Sequence, residues 1–127
     1  MANQDDVRRI ASSLPGATEG GPQFGFSVIN KGKPKGFLWA WAERVDPKKA
    51  RVINDDVLAV VVKNLEVKDM LLSANPDALF TEPHYNGFPA VLVRLADIPL
   101  DELEDLITEA WRCKAPADAV EAFDRSR

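Results

Sequence analysis

Apolar positions change their spacing several times along the chain, and each change marks an element. Val7, Ile10, Ala11 and Leu14 recur at helical spacing, which predicts a helix over residues 3–14. Asn3 is placed to cap it, Asp5 and Asp6 fall in its first turn, and Pro15-Gly16 ends it. Gly20-Gly21-Pro22 then delays the next element. Phe24, Phe26 and Val28 alternate with small residues, and Phe37, Trp39 and Trp41 alternate with Leu38, Ala40 and Ala42. Both patterns are strands. Lys31-Gly-Lys-Pro-Lys-Gly36 between them reads as a turn, which makes the pair a hairpin with a lysine-bearing tip.

Residues 43–56 are charged, contain Asp46-Pro47 and read as a connection, with extended pieces around Arg51–Ile53. Val57–Val62 is apolar and mostly β-branched, the mark of a central strand buried on both faces. Glu66–Ser73 predicts a short helix with Val67, Met70, Leu71 and Ala74 on one stripe, stopped by Asn75-Pro76. Leu79–Glu82 and Phe88–Leu95 predict two strands around Asn86-Gly87, the dipeptide of a type I′ turn. Tyr85 and Phe88 are expected to face each other beside that turn, and Pro83 and Pro89 limit the ladder near it. Pro99–Arg112 is the strongest helix, with Leu100, Leu103, Leu106, Ile107, Ala110 and Trp111 on one face. Its acids come first and Arg112 and Lys114 last, as the helix dipole favours. Ala117–Phe123 adds a short terminal helix that docks through Val120 and Phe123.

The order α-β-β-β-α-β-β-α is rich in hairpins and poor in crossovers. It predicts an α+β fold: a mainly antiparallel five-stranded sheet with helices packed mostly on one face. A chain of 127 residues fits one domain, spanning 1–127. A domain of this size buries roughly two-thirds of its unfolded surface without disulfides. One cysteine, Cys113, allows no internal disulfide. The N-terminus lacks the basic and apolar regions of a secretion signal, and no apolar run is long enough for a bilayer, so a cytoplasmic protein without membrane contact is expected.

The net charge of −4 is unevenly spread. Residues 31–51 hold seven cations (Lys31, Lys33, Lys35, Arg44, Lys48, Lys49 and Arg51) against two acids, while residues 97–109 hold six acids and no cation. An acidic domain has no long-range pull toward nucleic acid, yet a local basic face still neutralises phosphates. The bland alternative is a solvated helix face and solubilising loops.

Few residues offer chemistry. His84 is the only histidine and titrates near neutrality, but no nucleophile accompanies it in sequence; a cluster with Asp55 or Glu82 would be needed. His84 and Cys113 alone are too few for zinc. Cys113 reads as a small hydrophobe at a helix end. Asn54-Asp55-Asp56 reads as a turn before a strand; as a hard-cation loop it lacks the later glutamate. Phosphate loops, dinucleotide fingerprints and nucleophile elbows are absent, so no catalytic residue, no metal site and no cofactor are expected. Trp39 and Trp41 share a sheet face. Covered by helices they are core; left open they form, with Phe37, a platform for stacking a ligand or base.

With its elements in this order, the sequence resembles the MmcQ/YjbR family. The resemblance rests on Ser13-Leu-Pro-Gly-Ala-Thr-Glu19, the Phe24/Phe26 and Phe37–Trp41 strands, Asn54-Asp-Asp-Val57, Thr81–Val91 and Glu109-Ala-Trp-Arg112. It covers about residues 5–115 and leaves 116–127 as a C-terminal extension. It implies a two-layer α/β sandwich like that of secretion chaperones, with two projecting hairpins likened to wings and a DNA-binding label derived from them. That expectation is a non-enzymatic binding module. It places nucleic acid on Lys31, Lys33, Lys35, Lys48, Lys49, Arg51, His84, Tyr85 and Asn86. The alternative is a protein- or small-ligand-binding module with an aromatic pocket at Trp39, Trp41, His84 and Tyr85.

Overall fold

Asn3 opens the first helix with a reciprocal cap. Its side-chain oxygen accepts from the Asp6 backbone N–H at 3.0 Å, and the Asp6 carboxylate accepts from the Asn3 N–H at 3.1 Å. The computed structural model describes residues 2–20, 24–43, 52–83 and 85–126. In chain order they form α1 (Gln4–Ser12), β1 (Ala17–Glu19), β2 (Gly25–Asn30), β3 (Lys33–Glu43), β4 (Val52–Val61), α2 (Leu65–Ala74), β5 (Leu79–Phe80), β6 (Ala90–Arg94), α3 (Leu100–Lys114) and α4 (Ala117–Arg125). The sheet is wholly antiparallel in the order β1-β2-β3-β4-β6-β5, with the apolar β4 near its centre.

The expected α+β sandwich is present, with six strands instead of five. The additional strand is β1, a short edge piece pairing Ala17 with Val28 and Glu19 with Phe26. The helices lie against one face, where Val7, Ile10, Phe26, Leu38, Val60 and Trp111 share a core. The Trp111 indole N–H donates to the Pro15 carbonyl at 2.9 Å, which closes the turn after α1. The terminal helix α4 docks as expected, its Phe123 ring 5.0 Å from that of Trp111.

Three local readings are corrected. The first turn is only Lys31-Gly32, because pairing continues to Asn30 opposite Lys33. Both turn residues have positive φ, 56° and 77°, the type I′ geometry that matches strand twist. Lys33, Pro34, Lys35 and Gly36 therefore belong to β3. Second, β4 begins at Val52, so Asn54-Asp55-Asp56 lies inside a strand. It is a bulge: Ala40 pairs with Leu58 and Trp41 with Asn54, which leaves Asp55, Asp56 and Val57 without partners on β3. The Asn54 side chain accepts from the Asp56 N–H at 2.9 Å within that bulge. Third, β5 and β6 are joined by residues 81–89, not by a two-residue Asn86-Gly87 turn. Among the described residues there, only Gly87 has positive φ (81°), as the third residue of a turn closed by Phe88 N–H to Tyr85 O at 3.0 Å.

Candidate functional site

Strand polarity decides which functional residues can meet. β2 ends and β3 begins at one end of the sheet, at Asn30 and Lys33; β5 ends and β6 begins at that same end, at Phe80 and Ala90. Both hairpin tips therefore project from one end. Lys31, Lys33 and Lys35 are exposed there. Exposed Lys63 follows β4 and Lys114 ends α3 at this end, and the Lys114 carbonyl accepts from the Asn30 side-chain amide at 2.9 Å. Glu66, Glu82 and Asp118 lie near that end, so its charge is mixed but cationic in balance against the five lysines. The opposite end gathers Asp5, Asp6, Asp55, Asp56, Asp97, Asp101 and Glu102.

Lys48, Lys49 and Arg51 lie outside the described residues. The strands that flank them, however, meet at Glu43 and Val52, about 35 Å down β3 from Lys33. Asp55 belongs to that far end, where its carboxylate accepts from the Gln4 amide at 3.4 Å, whereas Glu82 sits at the hairpin end. The two carboxylates considered as partners for His84 are thus separated; His84 itself lies outside the described residues.

The second hairpin tip is held from below. Lys68 of α2 is 3% exposed, and its ammonium donates to the backbone carbonyls of Tyr85 and of Phe88, the latter at 2.9 Å. Burial pushes its pKa down, against a small opposing pull from Asp69. The Tyr85 hydroxyl accepts from the Trp39 indole N–H at 3.0 Å, and the Tyr85 and Phe88 rings meet edge-on at 6.0 Å. The expected aromatic pair therefore exists, across a turn and not across a ladder. Asn86 is exposed beside it.

Trp39 and Trp41 lie on the face away from the helix core, with Val57, Ala59, Leu92, Phe80 and Tyr85. Phe37 does not join them. A register shift between Phe26 and Ser27 leaves Phe37 unpaired on β2 and turns it into the helix-side core, fully buried. Trp41 is 9% exposed and meets Phe80 edge-on at 5.7 Å, and the Arg94 guanidinium caps Phe80 at 4.1 Å. Gly25 makes room for the layer: a Cβ there would lie 3.0 Å from the Leu38 carbonyl and 3.3 Å from Trp39 Cβ. The structure thus gathers Trp39, Trp41 and Tyr85 into one layer, half of it packed away.

A groove of about 710 Å³ lies between α2 and α3. Its floor and α2 wall are apolar, built from Val61, Val62, Val67, Leu71 and Leu79. The α3 wall carries Leu106 with Glu102, Asp105 and Glu109. Cys113 is exposed on that wall rather than packed as a hydrophobe; desolvation and Glu109 push its thiol up, so it is a poor nucleophile. No group of three or more metal-binding side chains occurs among the described residues, and none of their helices is long and apolar enough to cross a membrane.

Residues 12–113 match the YjbR family along their whole length. The chain belongs to the YjbR family. Proteins of Mycobacterium bovis and Mycobacterium tuberculosis, each described as uncharacterized, are 38% identical over 131 residues, which spans 97% of this chain and 96% of each relative. The crystal structure of a Deinococcus radiodurans protein with a DUF419 domain superposes with a TM-score of 0.67 at 23% identity, covering 87% of this chain and 77% of that one. That likeness is one of fold.

Neither Lys68 nor the groove is legible in the sequence of this family member. Lys68 follows Val67 on a helix whose stripe already looked complete, and nothing local distinguishes a buried lysine from a solvated one. The groove joins α2 to α3 across β5 and β6, so no contiguous motif encodes it.

Proposed function

We propose that this YjbR protein is a non-enzymatic binding module that docks a nucleic-acid backbone across the end of its sheet bearing both hairpins. The observation that supports this is the shared polarity of the two tips. It brings Lys31, Lys33, Lys35, Lys63 and Lys114 to one end, opposite the end that gathers Asp5, Asp6, Asp55, Asp56, Asp97, Asp101 and Glu102. Lysines on a rigid type I′ tip suit phosphate contacts, which position a duplex without reading its sequence. Exposed Asn86 and Phe88 on the second tip are available for sugar or base contacts.

Anisotropy of a labelled DNA duplex, titrated with protein at increasing salt, tests this. Three to five phosphate contacts should weaken binding roughly 40- to 500-fold between ~50 and ~200 mM salt. Reversing Lys31, Lys33 and Lys35 to Glu should abolish binding while leaving the fold intact. No binding at ~50 mM salt, or binding indifferent to the triple reversal, sinks the proposal.

A second reading places a protein or small ligand on the aromatic layer. Its support is Phe88, 43% exposed beside half-buried Tyr85 and Trp39. A ligand there should quench tryptophan emission, and Trp39→Phe should remove part of the quenching.

A further inference from the structure

The groove between α2 and α3 runs along the sheet axis. At its lower end the Asn75 side-chain amide donates to the Glu102 carboxylate at 2.7 Å, tying the two helices together. Toward the hairpin end it stays bordered by Lys63, Arg112 and Cys113. α2 spans ten residues, about 15 Å of wall. That length matches about three turns of a third helix laid between the two.

Its chemistry is two-sided. Val67 and Leu71 from α2, Leu106 from α3 and Val61, Val62 and Leu79 from the sheet present apolar surface. Met70, next to Leu71 on α2 but outside the groove lining, is 65% exposed, an adaptable apolar side chain on the same helix. On the other side Glu102, Asp105 and Glu109 follow one another along the α3 rim. Arg112 at the upper end is already engaged by Asp124 at 2.6 Å and lies 3.6 Å from Glu109. The α3 rim thus offers carboxylate to an occupant over most of its length.

The geometry points to a docking site for an amphipathic peptide helix of a partner protein, apolar on one stripe and lysine- or arginine-bearing on the flank that meets α3. Helix-in-groove recognition uses this arrangement: apolar anchors supply affinity and flanking charge selects the partner. Charge also sets direction. The positive N-terminal end of the bound helix belongs near Glu102, and its negative C-terminal end near Lys63. An acyl chain with an anionic head would meet the same carboxylates as repulsion. Lys63 borders both surfaces, but the apolar lining and the α3 carboxylates lie outside the lysine-bearing hairpin, so the inference does not rest on the nucleic-acid reading.

The test uses the whole chain and a fluorescein-labelled synthetic peptide of ~14 residues, about 21 Å as a helix. Leucines form one stripe and lysines one flank. A second peptide replaces the lysines by glutamates. Anisotropy should show the lysine peptide binding about tenfold or more tighter than the glutamate peptide. Asp105→Lys with Glu109→Lys should reverse that preference, and Leu71→Ser should weaken both peptides. The same reversal placed outside the groove, Asp97→Lys with Glu121→Lys, should leave the preference in place. Bound peptide should also shield Cys113, the only cysteine, from maleimide. Equal binding of the two peptides, a preference that follows the outside reversal instead, unshielded Cys113, or tighter binding of a fluorescent fatty acid than of the lysine peptide would each overturn the inference.

Discussion

The Trp39 indole N–H donates to the Tyr85 hydroxyl at 3.0 Å, across 46 residues of sequence. This bond fastens the 81–89 connection to the central strands from the face opposite the helices. Tyr85→Phe keeps the ring and its edge contact with Phe88 but strands a half-buried indole donor. The expected loss is about 1 kcal/mol, read as a lower urea midpoint at unchanged slope. A midpoint equal to that of the parent would mean that water replaces the phenol.

Lys68 holds the same connection from the other side. Lys68→Met keeps the stem and removes both donors, so the carbonyls of Tyr85 and Phe88 lose their partner. The expected destabilisation is about 1–3 kcal/mol, with faster amide exchange in residues 85–90 before the rest of the sheet opens. Its titration has a defined sign. The folded pKa lies below the ordinary lysine value, so between the two the unfolded chain binds more protons and stability rises with pH. Thermal melts in that alkaline window should show the rise in the parent and lose it in Lys68→Met.

Gly25 is required by packing, not by turn geometry. A Cβ there presses on the Leu38 carbonyl and the base of Trp39, both fixed in β3. Gly25→Ala should cost about 1–3 kcal/mol, whereas Gly20→Ala, with open space around it, should cost far less. Equal melting temperatures for the two variants would refute this account.

Cys113 should alkylate slowly for an exposed thiol. Its pKa is raised, so the thiolate fraction near neutral pH falls below that of a free cysteine. Iodoacetamide rates should climb with pH to values above the ordinary cysteine range. Glu109→Gln should bring that climb to lower pH, because it removes one of the causes of the shift.

Elements whose determinants are local were readable from the chain. The Asn3 cap, the long apolar face of α3 and the Phe123 dock of α4 all follow from residues within a few turns. What the sequence hid depends on distant partners. Ala17-Thr18-Glu19 has no apolar periodicity and becomes a strand only because β2 lies beside it. Phe37 breaks the alternation of its strand because of a bulge set by β2. Asn86-Gly87 is a strong hairpin signal, but Pro83 and Pro89 interrupt the ladder and Lys68 supplies tertiary bonds that a two-residue turn would not need. The shared end of the lysine and Tyr85 hairpins became visible only through strand polarity, and the α2–α3 groove only through packing.

The separation of charge along the sheet has a consequence for handling the protein. With a net charge of −4 and an isoelectric point near 5.0, it should bind an anion exchanger at neutral pH. Its hairpin end also presents Lys31, Lys33, Lys35, Lys63 and Lys114 together, so at low ionic strength the same molecule should be retarded on a sulfonated resin. On each matrix it adsorbs by a different pole. Immobilised through its carboxylate pole, it would stand with the lysine hairpin facing the solution.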